Sequence, residues 1–224
     1  MTGVFVTGTD TNVGKTYVAC ALAQRARARG HKVFAFKPIE TGCTATEGGY
    51  LGADQELLAA AAGDWQTGAL RGLYRFPLPA APLVAAHQAG SAIDLALVER
   101  TVRDGAAQSG ASWTLVEGAG GWRVPITPDA DMAALARRLR FPVVVVARAG
   151  LGTINHSLLT LEAIERDGLS VAGLVLSRHE TDDPVAAESN LAQIQRRWAG
   201  SITILATDPL VLDRLLPPAR PRAT

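Results

Sequence analysis

Val4-Phe-Val-Thr-Gly8-Thr-Asp-Thr-Asn-Val-Gly14-Lys15-Thr16 stands near the start of the chain and carries its strongest local signal. Val4 to Thr7 is a short apolar and β-branched run, the composition of a buried strand. Thr16 to Arg29 then carries apolar residues at helical spacing, with Val18, Leu22 and Ala26 on one face, and Gly30 stands where glycine often closes a helix. A glycine-bearing loop between strand and helix is the context of a phosphate loop. Backbone N–H groups and the helix N-terminus attract anions there. Lys15 is set to neutralise the β- and γ-phosphates, and the Thr16 hydroxyl to ligate Mg²⁺. The spacing departs from the strict motif: five residues, not four, separate Gly8 from Gly14, and Thr9 occupies the first-glycine position. A glycine turn with a helix-capping lysine is the plain alternative, and the strand–loop–helix context weighs against it.

Working outward, Val33–Phe36, Trp113–Val116, Val143–Ala147, Val171–Leu176 and Ile202–Ala206 are further strand-like runs. Helical patterns cover 93–107, 132–139, 154–166 and 184–198. Unbroken apolar strands separated by helices predict an α/β fold, a single-domain, doubly wound, mostly parallel sheet of the phosphate-loop NTPase type. Such a sheet binds ligands at the carboxyl ends of its strands. Thr41 to Asp54 holds four glycines and reads as a long loop, a candidate lid. The domain is expected over 1–215, with a frayed tail over 216–224.

Composition narrows the function. In 224 residues, 22 basic and 21 acidic side chains leave a net charge of +1, without the basic surplus of a nucleic-acid binder. An apolar fraction of 48% argues against disorder. No basic segment leading into an apolar stretch opens the chain, and no run of about 18 uncharged apolar residues occurs. A cytoplasmic protein with no membrane partner is therefore expected. Cys20 and Cys43 match no metal or disulfide spacing, and Cys20 reads as a small packed hydrophobe. His31, His87 and His179 share no motif and are expected on the surface. Of the 22 basic residues only Lys15, Lys32 and Lys37 are lysine.

Other blocks carry candidate chemistry. Trp113-Thr-Leu-Val-Glu117-Gly-Ala-Gly-Gly121 reads as an apolar strand ending in a carboxylate that can help hold Mg²⁺, followed by glycines with open N–H groups. Phe36-Lys37-Pro-Ile-Glu-Thr41-Gly42 sets Lys37 at a strand end, facing the ligand crevice. Asp54 is either a helix cap for 55–62 or a second metal carboxylate. Gly150-Leu-Gly-Thr-Ile-Asn155-His156 is a glycine-rich turn whose helix N-terminus can hold a carboxylate, unless Thr153 or Asn155 simply caps the helix.

Four blocks in chain order, the phosphate loop from Gly8 to Thr16, Lys37-Pro38, Glu117-Gly-Ala-Gly-Gly121 and Leu151-Gly-Thr-Ile-Asn-His156, together resemble the dethiobiotin synthetase family of biotin biosynthesis over most of the chain. The five-residue spacing of the phosphate loop is that family's own form. The resemblance implies ATP and Mg²⁺, the substrates 7,8-diaminopelargonic acid and CO₂, and a homodimer with its substrate site at the subunit interface. By position, Lys15, Lys37 and Thr11 would be catalytic. Asn12, Val13, Gly14, Lys15, Thr16, Tyr17, Ser177 and Pro209 would bind nucleotide, and Thr16, Asp54 and Glu117 the metal. Thr41, Gly118, Gly150, Leu151, Gly152, Thr153 and Asn155 would bind substrate, the 150–155 turn coming from the partner subunit. The family usually reads adenine with an Asn where this chain has Ser177, and the loop Ala206-Thr-Asp-Pro209 also departs, so weaker discrimination among nucleotides is expected. A nucleotide-switch ATPase of the partitioning or metal-insertion kind is the rival reading. Such proteins typically carry an extra lysine early in the loop, and Gly8 to Val13 contains none.

Overall fold

A computed structural model describes residues 2–178 and 182–219. The chain runs β1 (Gly3–Gly8), α1 (Lys15–Ala28), β2 (Val33–Phe36), β3 (Ile39–Thr41), β4 (Thr44–Thr46), β5 (Gly49–Leu51), α2 (Ala53–Ala62) and β6 (Tyr74–Phe76). It continues through α3 (Pro82–Gln88), α4 (Leu95–Ser109), β7 (Trp113–Gly121), β8 (Pro125–Thr127), β9 (Ala130–Asp131) and α5 (Met132–Leu139). It ends with β10 (Val143–Arg148), α6 (Thr153–Arg166), β11 (Val171–Ser177), α7 (Pro184–Gln195), β12 (Ile202–Leu205) and a 3₁₀ helix, Pro209–Leu215.

Six strands form a parallel sheet in the order β12-β11-β10-β1-β7-β2. Successive side chains of a strand point to opposite faces, so strands apolar at every position need cover on both. Phe5, Phe34, Val116, Val143 and Val145 join one core with residues of α4, α5 and α6. Val4, Val6, Ala35, Leu115, Val144 and Val146 join the other with α1, α2 and the last 3₁₀ helix. From β1 the chain runs to the β2 edge, returns as β7, and then builds outward on the other side through β10. The reversal lies beside β1, which puts the ligand crevice over the carboxyl ends of β1 and its neighbours. Among the described residues, no helix is long and apolar enough to cross a membrane.

Several expectations need correction. β7 does not stop at Glu117 but continues through the glycines, and Gly121 pairs with Gly8 after a register shift. The segment Thr41–Asp54 is no structureless loop: β4 and β5 form an exposed antiparallel hairpin within it. His31 is buried, its Nδ1 3.2 Å from Ser112 Oγ and its Nε2 2.9 Å from the Pro218 carbonyl. That contact, with Leu216 packed on the α1-side core, docks the first part of the tail expected to fray. His87 is exposed as expected, and His179 lies outside the described residues. Cys20 packs against the same core, and burial pushes its thiol up to about 12.

Candidate active site

Four backbone decisions build the site. Gly14 ends the phosphate loop at φ 91°, a left-handed conformation that glycine adopts without a Cβ clash. Any side chain there would also strike Ser177, whose Oγ lies 2.6 Å from where a Cβ would stand. α1 then starts at Lys15, so Lys15 and Thr16 occupy its first turn. β2 ends at Phe36 and delivers Lys37 to the crevice floor. β7 delivers Glu117 beside β1, fully buried. α2 begins at Ala53 and sets Asp54 in its first turn.

The result is a crevice of 410 Å³ lined by Thr11, Asn12, Gly14, Lys15, Thr16, Tyr17, Lys37, Thr41, Asp54, Ala119 and Gly120. Glu117 lies beneath it. The Lys37 ammonium donates to Glu117 Oε1 at 3.0 Å and pairs with Asp54 Oδ2. The Thr16 hydroxyl donates to the same Glu117 oxygen at 2.9 Å. Lys15 Nζ donates to the Asp10 carbonyl of its own loop at 2.9 Å. Burial, opposed by Glu117 and reinforced by Lys37, lowers the Lys15 ammonium to about 8. Burial also works against the Lys37 charge, but Glu117 and Asp54 outweigh it and hold this ammonium above its ordinary range.

Thr16, Asp54 and Glu117 thus gather around one point. Glu117 Oε2 is buried with no hydrogen-bond partner among the described residues, so the carboxylate presents an unused oxygen. Among those residues no three His, Cys, Asp or Glu side chains form a metal cage. Mg²⁺ needs none, because it keeps several waters and takes one or two carboxylates together with substrate phosphates. The donor set fits that ion.

The remaining sequence candidates divide. Gly150, Leu151 and Thr153 line an adjoining crevice of 360 Å³ with Arg148 and His156, and this crevice shares Thr11 and Asn12 with the first. Gly152 caps α6 at φ 90°, and no side chain caps that helix, so the capping role weighed for Thr153 and Asn155 is not used. Val13 turns its side chain into the core. Gly118 is packed against Met132 and Phe5. Ser177 sits under Gly14, and Pro209 opens the last 3₁₀ helix; neither lines the crevice. A larger cavity of 820 Å³, walled by Arg103, Arg137, Arg138 and Arg140, lies by the amino end of β10, away from the phosphate loop. Sequence reading misses Ala119, hidden in a strand whose end was taken as a turn, whereas Gly120 is one of the glycines read for their open N–H groups. It also misses the roles of Glu40 and Gln55, buried polar residues whose partners are distant in sequence.

The family model described as an AAA domain matches residues 2–211. The ATP-dependent dethiobiotin synthetase BioD of Anaeromyxobacter dehalogenans (strain 2CP-1 / ATCC BAA-258) is 46% identical over 215 residues, 96% of this chain and 94% of that protein. BioD of Chromohalobacter salexigens is 41% identical over 203 residues, 88% and 85% of the two chains. Among solved structures, the signal recognition particle receptor FtsY from Elizabethkingia anophelis superposes with a TM-score of 0.56 at 13% identity, over 96% of this chain and 65% of that one. The MinC:MinD cell division protein complex of Aquifex aeolicus gives 0.54 at 16% identity, over 96% and 85%. At those identities the likeness speaks for the fold alone, a mostly parallel sheet with helices on both faces. The nearly full-length match to the synthetases carries further, and by it the chain belongs to the ATP-dependent dethiobiotin synthetase family.

Proposed function

We propose that the protein makes dethiobiotin by ATP-dependent carboxylation and ring closure of 7,8-diaminopelargonic acid with CO₂, releasing ADP and phosphate. One observation carries the reading beyond family membership: Lys15, Thr16, Lys37, Asp54 and Glu117 converge at a single crevice at the carboxyl end of the sheet.

One amine of the substrate adds to CO₂ and loses a proton, giving a carbamate. A carbamate oxygen attacks the γ-phosphorus as ADP leaves, giving a mixed carbamic–phosphoric anhydride. The second amine attacks the carbonyl carbon, loses its proton and expels phosphate, closing the five-membered ureido ring. No protein nucleophile is required, so the residues act by position and charge. The loop N–H groups and Lys15 hold the phosphates. Lys37, fixed between two carboxylates, presents positive charge to the carbamate and the transferring phosphoryl group. Thr11 and Thr41 border the same space, where they can orient the diamine end. Thr16, Asp54 and Glu117 would hold Mg²⁺, which supplies charge neutralisation on the phosphates.

The 150–155 turn, with the N-terminus of the 14-residue helix α6 behind it, suits the substrate carboxylate. In this reading it serves the partner subunit of a homodimer. The demand for ATP supports a cytoplasmic setting. Ser177, short and turned under Gly14, supports loose reading of the base. The test is incubation with ATP, MgCl₂, bicarbonate and the diamine, with the cyclic urea read by mass spectrometry and the assay repeated with CTP, GTP and UTP. Cyclic product with comparable kcat/KM for several triphosphates is expected. ATP hydrolysis without cyclic product would favour the nucleotide-switch reading, and strict ATP dependence would remove the claim on Ser177.

A further inference from the structure

Among the described residues two carboxylates are buried, Glu117 and Glu40, and the chemistry above uses only the first. Glu40 belongs to β3, yet its side chain serves α2. The Asp54 N–H donates to Glu40 Oε1 and the Gln55 N–H to Glu40 Oε2, each at 2.9 Å. α2 needs this help because its N-cap residue, Gly52, has no side chain to offer the open N–H groups of the first turn. Gly52 is itself dictated by the arrangement: a Cβ there would lie 2.5 Å from Glu40 Oε2. Gln55, fully buried, extends the bracket. Its Nε2 donates to the Lys37 carbonyl at 3.0 Å and to the Tyr74 carbonyl at 3.2 Å, while Arg75 Nε donates to its Oε1 at 2.6 Å. The backbones at both ends of the Lys37–Asp54 ion pair are therefore held, Asp54 by Glu40 and Lys37 by Gln55.

We propose that Glu40 is a positioning residue that aims the Asp54 carboxylate at Lys37 and at the metal position, and that its loss disables the site before it disables the fold. This rests on the reading of Asp54 as a metal ligand. Supporting residues of this kind typically change metal affinity or activity by about ten- to a hundredfold.

The test uses Glu40→Ala, Glu40→Gln, Asp54→Asn and the double variant Glu40→Ala/Asp54→Asn in the full chain. Binding of Mn²⁺ with the β,γ-methylene analogue of ATP is followed by electron paramagnetic resonance, alongside kcat, KM and urea unfolding. Glu40→Ala should weaken Mn²⁺ binding about tenfold and lower kcat more than it raises KM for the diamine, in protein that remains folded. Glu40→Gln, which keeps one acceptor oxygen and the shape, should fall between it and wild type and serves where the alanine variant does not fold. In the Asp54→Asn background, loss of Glu40 should cost nothing further in Mn²⁺ affinity. Variants with wild-type Mn²⁺ affinity and kcat but a lower urea midpoint would overturn the proposal, leaving Glu40 a structural cap. Mn²⁺ binding unchanged by Asp54→Asn would instead overturn the metal assignment, and this proposal with it.

Discussion

Lys15 and Lys37 are two of only three lysines in a chain that otherwise uses arginine for its basic residues. Both are buried, Lys15 donating to the Asp10 carbonyl of its own loop and Lys37 to the Asp54 and Glu117 carboxylates. A planar guanidinium needs a wider slot and different donor geometry. Lys15→Arg and Lys37→Arg should therefore each lower kcat at least about a hundredfold despite retained charge, and near-wild-type turnover in steady-state assays would contradict that. The two lysines also differ in how firmly they hold their protons. Lys15 titrates near 8 because burial outweighs its acidic neighbours, whereas Lys37 stays charged. In the free enzyme the Lys15 ammonium is thus lost as pH rises through 8. A bound triphosphate favours the charged form and moves that loss upward. The kcat/KM for ATP, which reports the free enzyme, should fall above about pH 8, while kcat holds to higher pH. Coincident limbs in the two profiles would count against this role for Lys15.

At the scale of elements, the long strands and helices were legible because burial on both faces writes itself into the sequence. Val143–Val146 can be nothing but a covered strand, and the α1 stripe of Val18, Leu22 and Ala26 is wholly buried. What escaped was short or tertiary. The β4–β5 hairpin is three residues a side, exposed and glycine-rich, so it shows no apolar alternation. β7 reaches past Glu117 because its glycines, which read as a turn, continue the strand beside the phosphate loop, where Gly121 pairs with Gly8. Of the two readings of Asp54, helix cap or metal carboxylate, the cap is not used: Glu40, from another element, caps α2 and leaves the Asp54 side chain to the site. Gly52→Ala tests this joint directly. The added methyl collides with the capping carboxylate, so α2 should lose its cap at a cost of about 1–2 kcal/mol. An unchanged urea midpoint would show that the cap is dispensable.

At the scale of the whole molecule, a single chain leaves the proposed carboxylate turn uncovered. Leu151 is fully exposed, with a relative exposure of 105%, and Leu159 further along α6 is exposed as well. Burying one such side chain contributes about 1.5–3 kcal/mol, which an association across this turn would recover. If the turn serves a partner subunit as proposed, Leu151→Asp should shift the protein toward monomer in sedimentation velocity and raise KM for the diamine. A variant that stays dimeric with unaltered KM would place the interface elsewhere.

If the crevice over β1 and β7 joins CO₂ to phosphate through a carbamic–phosphoric anhydride, the oxygens of CO₂ must part company during the reaction. With ¹⁸O-labelled CO₂ and unlabelled ATP in a single turnover, one label should appear in the inorganic phosphate and the other in the ureido carbonyl of the product. Unlabelled phosphate would be the signature of water attacking the nucleotide and would rule the anhydride out.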